Sequence, residues 1–563
     1  MSSTDHECDY LIVGGGSAGC VMASRLSEIA SNRVVLLEAG DDTPPGAVPE
    51  AIRDARFRTL NDGRFLWPDL SAEYSRSGPG PLPFGQARIL GGGSSINGMH
   101  AQRGLPADYE EWRQLGVVGW GYDDVLPFFK KLETDTNLSG PQHGASGPIR
   151  LTRVPRRQWS GLAKAIGVRF EARGVPYHED FNGKDGDGHG AVPINMEGRE
   201  RLSSASAYLT SRVRARSNLR IETGCNAERL LMHGRRAVGA VVRHGNGERI
   251  IRAREIILCS GALHTPALLL RSGIGPAAAL YRAGIALVSD TPGVGGNLLN
   301  HPLLIVAAHL RSKGRQKSAG VLAPCPSIVR YSSKLPDVPA TDMALNIWER
   351  MPNTLAWDPL GRQIANLMMI INKVYSQGNV ALNQAGQIEI KFNLLDDARD
   401  LQRGIDALRL IDDLSRENPV SEMVDAIFVP SMTPLALLMM QDNWKAQALS
   451  IAGALTLSGP AIVRRRALKK AGTPLSEILS TNNLEDVVRA MALPGGHVAG
   501  TCRMGDPNSS ATVVDSGCRV VGTEGLRVVD ASIFPTLMAA GTNLPVMMAA
   551  EKIAETIRKE QRI

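Results

Sequence analysis

The chain has 563 residues, which is more than one compact hydrophobic core usually holds, so two domains or one interrupted domain are expected. Lys and Arg number 63 against 56 Asp and Glu, and a net charge of +7 over this length gives no reason to expect nucleic acid as a partner. The seven cysteines stand singly, without CxxC or metal-ligand spacing. They predict reduced thiols in a cytoplasmic protein with no bound metal.

Neither end of the chain nor its apolar segments predict a membrane-spanning protein. The first ten residues lack a basic stretch followed by an apolar core, so we expect no signal peptide. The most apolar region, residues 446–463, is interrupted by two glycines and a proline, and it is too polar to span a bilayer. The basic cluster in residues 464–470 is expected to be a solvated helix face.

The first chemically informative stretch is residues 9–19, DYLIVGGGSAG. We predict a strand over residues 10–13, a turn through the G-x-G-x-x-G pattern, and a helix over residues 20–26. In that pattern Gly14 makes the tight turn, Gly16 lets the backbone approach a pyrophosphate, and Gly19 lets the helix pack closely against the strand. The pyrophosphate would lie at the helix N-terminus, where unpaired N–H groups favour negative charge.

A second predicted strand, residues 33–37, ends in Glu38. An acid at this distance from the glycines can accept hydrogen bonds from the ribose hydroxyls of a dinucleotide. The alternative is a βαβ unit that binds no nucleotide. The order of strand, glycines, helix, second strand and acid favours the dinucleotide site.

A second glycine-rich stretch, GQARILGGGSSING, covers residues 85–98. Three successive glycines followed by two serines do not suit a helix interior, but their backbone N–H groups can point at an anion. A flexible linker is the alternative. The apolar residues on both sides, Ile89, Leu90 and Ile96, favour a packed ligand-binding loop.

These stretches resemble the signatures of the glucose–methanol–choline (GMC) family of FAD-dependent oxidoreductases. Residues 85–97 resemble its first signature, GALHTPALLLRSGIG at 261–275 its second, and HVAGT at 497–501 its catalytic segment, and the resemblance covers nearly the whole chain. It implies an α/β FAD-binding Rossmann-like domain with an inserted α+β substrate domain built on an antiparallel sheet. The implied FAD-binding domain comprises residues 1–150, 199–303 and 476–563, and the substrate-binding domain residues 151–198 and 304–475.

The resemblance also implies which residues bind the cofactor. They are Gly14, Gly16, Ser17, Ala18, Gly19, Glu38, Ala39, Arg88, Gly92, Ser95, Asn97, Gly98, Ala227, Asp530, Ala531, Asn543 and Pro545. Relatives with covalent flavin carry a histidine where this chain has Ile96, so we predict non-covalent FAD. Many relatives carry valine where this chain has Ala227, which is a minor departure.

The same resemblance assigns the catalytic pair. His497 corresponds to the family's base, which removes the hydroxyl proton as the α-hydrogen leaves as hydride to flavin N5. Asn543 stands where the family has His or Asn and would orient the substrate oxygen. Asn543 could also cap the helix that follows it, and both roles can hold together. We expect the other ten histidines, His100 included, to be structural or surface residues.

Two departures from the family pattern lie close to these residues. Relatives usually have an acid before a histidine where this chain has Asn300 and His301, which puts a charge-dependent role there in doubt. Relatives often have an aromatic residue before the catalytic histidine, where this chain has Gly496 after Gly495. We expect a roomier or more mobile pocket wall that could admit a bulkier alcohol.

Within the family, the sequence looks closest to bacterial hydroxymethylfurfural and aryl-alcohol oxidase-like members. The expected function is oxidation of a primary aryl, furanic or allylic alcohol to the aldehyde, with dioxygen reduced to hydrogen peroxide. Alternatives are a choline-type or other alcohol dehydrogenase that uses a quinone or another acceptor, and a pyridoxine-type oxidase. A cyanohydrin lyase with structural FAD and a non-catalytic flavin scaffold are further alternatives. The sequence leaves the alcohol, the electron acceptor and the oligomeric state open.

Local patterns predict further elements. Residues 201–214 and 398–414 are expected to be helical, and residues 219–221, 237–242 and 327–331 to be strands. Asp108 and Asp123 are placed to cap short helices. The acids around Gly186 lack the full calcium-loop pattern, so no calcium site is expected there.

Overall fold

The computed structural model describes residues 7–57, 59, 62–318, 320–350, 358–431, 433–439 and 443–561. The helices are α1 (Ser17–Leu26), α2 (Glu50–Arg53), α3 (Pro106–Gln114), α4 (Tyr122–Leu132), α5 (Gly161–Glu171), α6 (Ser204–Tyr208), α7 (Ser211–Arg214), α8 (Gly261–Arg271), α9 (Ala277–Arg282), α10 (Asp358–Gly361), α11 (Ala398–Arg416), α12 (Val420–Met423), α13 (Pro434–Met439), α14 (Trp444–Ser458), α15 (Ala461–Ala471), α16 (Leu475–Leu479), α17 (Leu484–Met491) and α18 (Asn543–Glu560). The strands are β1 (Cys8–Val13), β2 (Val34–Leu37), β3 (Ser71–Glu73), β4 (Pro81–Pro83), β5 (Glu133–Asp135), β6 (Ile149–Thr152), β7 (Tyr177–His178), β8 (Gly188–Ala191), β9 (Ile194–Glu197), β10 (Glu200–Arg201), β11 (Leu219–Glu222), β12 (Cys225–His233), β13 (Arg236–His244), β14 (Gly247–Leu258), β15 (Ile274–Gly275), β16 (Ser289–Asp290), β17 (Pro302–Leu310), β18 (Ser327–Tyr331), β19 (Met343–Trp348), β20 (Ile364–Ile371), β21 (Asn379–Leu382), β22 (Ile388–Lys391), β23 (Val424–Pro430), β24 (Gly472–Pro474), β25 (Leu493–Pro494) and β26 (Leu526–Val528).

A parallel sheet carries the N-terminal glycine turn. Its strands lie in the order β11-β2-β1-β14, and β26 pairs with β14. Strands β1 and β2 read CDYLIV and VVLL and are almost wholly buried, as expected of parallel strands covered on both faces. The first half of β14 pairs antiparallel with β13, so one long strand joins the parallel sheet to the β12-β13-β14 meander.

The turn after β1 requires glycine at two positions. Gly14 has a φ of +103°, and a Cβ there would lie 2.6 Å from the carbonyl oxygen of Cys259. A Cβ on Gly19 would lie 1.9 Å from the carbonyl oxygen of Gly14. Both glycines are therefore fixed by the packing of α1 against the β1–β14 edge, as the motif predicts.

Helix α18 lies beside α1 and brings the C-terminus back to the glycine turn. Arg25 of α1 donates hydrogen bonds at 2.8 to 2.9 Å to Glu551, a fully buried carboxylate of α18. The hydroxyl of Tyr208 donates to the same carboxylate at 2.8 Å. A buried charge needs such partners, and here they fix the position of α18 along α1.

The second large sheet has the strand order β24-β23-β17-β20-β19-β18-β8-β7, with β25 paired to β17. The pairs are antiparallel except for the parallel β7–β8 pair. A Rossmann-like parallel sheet together with this antiparallel sheet confirms the predicted fold class. The residue boundaries of the two domains remain a prediction.

Some local predictions were wrong. Residues 201–214 do not form one helix, because the hydroxyls of Ser203 and Thr210 cap two separate short helices, α6 and α7. Asp123 does not cap α4, since the backbone N–H of Gly121 donates to Asp124 instead, at 3.0 Å. Asp108 is not an N-cap either, because it is the third residue of α3, where it accepts from the backbone N–H of the N-cap Leu105 at 2.8 Å as the acid of a capping box. The predicted helix over 398–414 and the strands over 219–221, 237–242 and 327–331 are confirmed.

One buried cluster has metal-ligand residue types. Oxygen and nitrogen atoms of Glu133, Asp135 and His143 lie close enough together to hold an ion. Hydrogen bonds to Asp135, Asp180 and Glu133 raise the pKa of His143 to about 11, so the ring is an imidazolium that cannot ligate a metal. Arg103 donates to Glu133 and Arg153 donates to Asp135, so each carboxylate of this ionic cluster is paired with an arginine.

Over the described residues, no helix combines the length and the apolar character needed to cross a lipid bilayer. The seven cysteines are all buried and unpaired.

Candidate active site

The two glycine-rich loops meet at the N-terminus of α1. The backbone N–H of Gly91 donates to the carbonyl oxygen of Gly15 at 2.7 Å, and a Cβ on Gly92 would lie 2.7 Å from the Cα of Gly16. Gly92 is therefore required by the protein's own packing. A Cβ on Gly16, by contrast, would be no closer than 3.8 Å to a neighbouring protein atom. The bare backbone at Gly16 leaves room for a group that the protein itself does not supply.

A second helix N-terminus lies next to this one. The hydroxyl of Ser17, the first residue of α1, donates to Oδ1 of Asn543, the first residue of α18, at 2.7 Å. Neither helix has a side-chain cap, since Gly16 and Thr542 occupy the N-cap positions without a side-chain hydrogen bond. The capping role predicted for Asn543 was wrong, because Asn543 is already inside the helix.

This arrangement fits FAD. Uncapped backbone N–H groups at two adjacent helix N-termini form an anion-binding site, and the open space at Gly16 gives a diphosphate access to it. Nδ2 of Asn543 is buried and has no hydrogen-bond partner among the described residues, so this donor is available to a bound molecule. Phosphate and flavin oxygens are acceptors that such donors require.

The acid predicted to face the ribose lies at the end of β2. The two carboxylate oxygens of Glu38 accept from the backbone N–H groups of Gly15 and Gly40, at 2.9 and 2.8 Å. Burial raises the pKa of Glu38. These hydrogen bonds hold the glycine turn in place, and the carboxylate oxygens keep lone pairs that can accept from a further donor. Nearby, Nε of Arg88 donates to the carbonyl oxygen of Ala39 at 3.2 Å, which ties the second glycine loop to β2.

The remaining residues of the first signature form contacts that stabilise the second glycine loop. The hydroxyl of Ser95 donates to the carbonyl oxygen of Leu90 at 2.9 Å. Oδ1 of Asn97 accepts from the backbone N–H of Met99 at 3.0 Å and from Arg201 at 2.8 Å. Gly98 lies against Trp348, whose ring would be 3.7 Å from a Cβ at that position.

Asp530 follows β26 and joins three segments. One of its oxygens accepts from the backbone N–H of Gly261 at 2.8 Å and from the hydroxyl of Thr265 at 2.6 Å, and the other accepts from the N–H of Ser532. Burial raises the pKa of Asp530. The carbonyl of Ala531 accepts from the N–H of Gly500 and so connects this segment to the loop of His497.

For three predicted cofactor residues the structure shows only where they lie, because their side chains form no hydrogen bonds. Ala227 lies half-buried in β12 at an irregularity of the pairing with β13. Ala18 and Pro545 are buried in the first turns of α1 and α18. The structure thus gathers the predicted residues of both glycine loops, α1 and α18, while direct contacts between these residues and FAD remain a prediction.

His497 lies half-buried beyond β25, and its imidazole contacts a second histidine. Nδ1 of His497 is 2.8 Å from Nδ1 of His301. The backbone N–H of His497 donates to Oδ1 of Asn300 at 3.1 Å. On the other side of the ring, Nε2 of His497 would be 3.2 Å from a Cβ on Gly541. The ring therefore lies between the residues before β17 and the segment that leads into α18.

The hydrogen bonds of His301 determine which nitrogen of His497 carries the proton. Nε2 of His301 lies 3.0 Å from the carbonyl oxygen of Asn372, which can only accept, so His301 carries its proton on Nε2. Nδ1 of neutral His301 is then an acceptor, and Nδ1–H of His497 must be the donor to it. Nε2 of His497 is consequently unprotonated and faces Gly541.

The charge state agrees with this arrangement. Burial lowers the pKa of His497 to about 4, and burial together with the nearby His497 holds the pKa of His301 well below its usual value. Burial and His497 also lower the pKa of His100 to about 4. These imidazoles are neutral at pH 7, so His497 can accept a proton there.

Sequence reasoning missed the role of His301 and Asn300. In the family pattern only Asn300 is a departure, because it replaces the acid, and the sequence places His301 among the structural or surface histidines. Their position next to the glycine segment at residues 293–296 was the available signal. What the sequence could not show is that His301 and His497, almost two hundred residues apart, form a hydrogen bond.

One face of the antiparallel sheet borders this site. Leu303, Ile305 and Met368 point to that face and are only half-buried although they lie within the sheet. Leu303 approaches Gly495, two residues before His497. The ring of Trp348 lies 6.4 Å from that of His100, between ring centroids, at the edge of the same region.

The sequence matches the GMC oxidoreductase family over residues 8–303 and again over residues 374–550. This chain belongs to the GMC oxidoreductase family. It is accordingly an FAD-dependent oxidoreductase that acts on CH–OH donors, and the predicted family is confirmed.

Individual relatives cover almost the whole chain. The 5-(hydroxymethyl)furfural oxidase of Methylovorus sp. (strain MP688) is 38% identical over 568 residues, covering 98% of this chain and 99% of the relative. The oxygen-dependent choline dehydrogenase of Photobacterium profundum is 29% identical, with coverages of 98% and 92%. Among solved structures, pyridoxine 4-oxidase from Mesorbium loti has a TM-score of 0.80 at 27% identity, covering 98% of this chain and 99% of that one.

The first prediction concerns the open backbone at Gly16. In Gly16→Ala the new Cβ meets no protein atom closer than 3.8 Å, so the fold should persist while FAD affinity falls at least about tenfold. The measurement is flavin content after dialysis, with circular dichroism as the folding check. Gly63→Ala, also in open space, is the matched control and should keep its flavin. Full flavin retention in Gly16→Ala would contradict the placement of the diphosphate.

The second prediction tests His301 as the residue that positions His497. His301→Phe removes the acceptor of the Nδ1–H of His497, and the rate of alcohol-dependent flavin reduction should fall about a hundredfold with little change in the alcohol's Kd. The control is His309→Phe, which alters another buried histidine, in the strand β17 that follows His301, whose partner is Asp425. If His301→Phe and His309→Phe reduce the rate equally, His301 has only a structural role.

The third prediction is a pH profile. With neutral His497 as the predicted base and its pKa lowered to about 4, flavin reduction should keep its rate from pH 7 down to about pH 5 and decline below that. Rapid pH-jump mixing separates this loss from unfolding. A decline centred near the ordinary histidine pKa of about 6.5 would show that His497 is not desolvated as described.

Proposed function

We propose that this enzyme oxidises a primary alcohol on a furan or benzene ring, or an allylic alcohol, to the aldehyde, and that dioxygen is reduced to hydrogen peroxide. The observation that carries the proposal is the geometry of His497. Its Nδ1–H is held by His301, its Nε2 is unprotonated, and that atom faces the segment leading to Asn543.

The residues of the site have different roles in the proposed reaction. Nε2 of His497 takes the hydroxyl proton of the alcohol, and the resulting imidazolium keeps its Nδ1–H on His301. The unpartnered Nδ2–H of Asn543 donates to the substrate oxygen and fixes its orientation. The bound FAD supplies the acceptor for the hydride that leaves the carbinol carbon. Half-buried apolar side chains from the antiparallel sheet exclude water from the reacting atoms.

The pocket wall favours a neutral aromatic substrate. Leu303, Ile305 and Met368 offer apolar surface to a ring, and nothing lies within 4 Å of a Cβ placed on Gly496. The wall at Gly496 thus has room that supports a bulkier alcohol. The unpartnered Nε2 of His100 and Nε1 of Trp348 can bind a polar substituent at the far end of the ring.

A quaternary ammonium substrate is disfavoured by the groups that face His497. His301, His100 and Asn300 carry no negative charge to balance a cation. The relative from Methylovorus, named for 5-(hydroxymethyl)furfural, supports a furanic alcohol in preference to choline. Pyridoxine 4-oxidase likewise acts on a substrate named as a ring compound.

Two finer points belong to the same proposal. FAD is bound non-covalently, because Ile96 offers no nucleophile where covalent attachment would need one. The cytoplasm is the proposed compartment, since seven unpaired, buried cysteines suit a reducing environment.

The fourth prediction tests the function as a whole. Purified flavoprotein is mixed anaerobically with benzylic, furanic, allylic and aliphatic alcohols and with choline, and the flavin absorbance band is followed. Furanic or benzylic alcohols should bleach the band fastest, and air should restore it rapidly with one peroxide formed per aldehyde. Slow recovery in air would indicate a dehydrogenase with another acceptor. No bleaching with any alcohol would contradict the alcohol-oxidase proposal and favour a lyase.

The same anaerobic flavin-reduction assay tests whether His497 is the general base. His497→Ala should retain FAD and lose flavin reduction by about a thousandfold or more, with the His309→Ala variant as a control near the wild-type rate. A fall of less than about tenfold would show that His497 is not the general base.

A further inference from the structure

Helix α14 is apolar on the side that faces solvent as well as on the side that faces the protein. Its inner side packs onto the fold through Ala454 and Leu457. On its outer side Trp444 is 76% exposed, Leu455 69%, and Ile451 is also exposed. A helix that is apolar all round is normally enclosed by other structure, yet no described residue covers this outer face.

The neighbouring helices also expose apolar side chains. Ile462, which is 68% exposed, and Val463 lie in the first turn of α15, directly after the turn that ends α14. Leu435 and Leu438 of α13 are also exposed. We call these exposed apolar side chains, together with those of α14, the α13–α15 surface. Isolated exposed apolar residues are ordinary, whereas a group on three consecutive helices indicates a binding surface.

The charged side chains within α14 and α15 have one sign. Residues 443–476 contain no Asp or Glu. Arg465, Arg466, Lys469 and Lys470 of α15 all lie at the surface beside the apolar side chains. Arg464 instead turns inward to Asp425, with 2.7 Å between its Nε and the carboxylate. The surface therefore combines an apolar face with a cationic rim.

This combination selects among possible partners. A second copy of the chain, docked face to face, would place one cationic rim against another, which is unfavourable. An anionic bilayer accepts the apolar side chains at the level of its headgroups and attracts the cations at the same time. The position of Trp444 at the exposed end of α14 suits the interface between headgroups and acyl chains.

We propose that the α13–α15 surface docks the protein peripherally onto an anionic lipid bilayer. Trp444, Ile451, Leu455 and Ile462 enter the headgroup region, and the cations of α15 pair with lipid phosphates or carboxylates. The docking is interfacial, in keeping with the absence of a spanning helix over the described residues. It is independent of the function proposed for His497.

The fifth prediction tests this docking with the purified flavoprotein. Vesicles of phosphatidylcholine, with or without phosphatidylglycerol, are sedimented with the protein at low and at high salt. The protein should bind the phosphatidylglycerol vesicles, and binding should weaken as salt rises. Each cation near an anionic surface contributes about fivefold, so Arg465→Gln/Arg466→Gln should weaken binding about 25-fold. Trp444→Gln/Leu455→Gln should weaken vesicle binding by about tenfold or more.

Matched controls lie elsewhere on the surface. Val118→Gln/Tyr281→Gln replaces two equally exposed apolar residues, and Arg212→Gln/Arg235→Gln neutralises two exposed arginines. Both controls should bind vesicles as the wild type does. Equal loss in the controls, or equal binding to vesicles without phosphatidylglycerol, would overturn the proposal. It would also be overturned if the protein ignored vesicles and light scattering showed a dimer that Trp444→Gln/Leu455→Gln dissociates.

Discussion

The site depends on one hydrogen bond between two imidazoles. His301 carries its proton on Nε2 because a backbone carbonyl accepts it, and its Nδ1 can then only accept the proton on Nδ1 of His497. This leaves Nε2 of His497 with a free lone pair, at the place where we propose that the alcohol binds. A neutral pair of this kind needs no carboxylate, and the family's usual acid is replaced here by Asn300, whose side chain accepts from the backbone of His497. The chain thus obtains an oriented base without placing a charge next to it.

The antiparallel sheet sets the distance between the two rings. His301 directly precedes β17, Asn372 directly follows β20, and those strands are paired, so the carbonyl of Asn372 lies opposite the ring of His301. β25 pairs with the start of β17, and the backbone N–H of Gly495 donates to the carbonyl of His301. His497 follows two residues later. The parallel sheet contributes the other half of the site, since α1 and α18 present their uncapped N-termini together. The site therefore forms where the two sheets of the fold meet.

The sequence predicted the parts of this arrangement that are local. The glycine turn, the second glycine loop and the strands around them follow from spacing, and the steric need for glycine at Gly14 and Gly19 agrees with that prediction. His497 was identified from the residues next to it. The pairing of His497 with His301 was not, because it results from the register of β17, β20 and β25, and register depends on long-range pairing. The cap predicted for Asn543 was wrong because α18 begins one residue earlier than expected, with Thr542 at the N-cap, and the side chain of Asn543 accepts from Ser17 instead. The sequence also did not predict the exposed apolar face of α14, because an apolar sequence does not show which side of a helix the rest of the protein covers.

The tautomer of His497 can be measured directly. Protein labelled with ¹⁵N-histidine, compared with His497→Ala to assign the signal, gives the nitrogen shifts of the His497 ring at pH 7 by NMR. The account predicts a protonated Nδ1 and an unprotonated, pyridine-like Nε2, with the ring still neutral near pH 5 because its pKa is lowered to about 4. A proton on Nε2, or a cationic ring at pH 7, would contradict the account. In either case the base would lack a free electron pair where the alcohol has to bind.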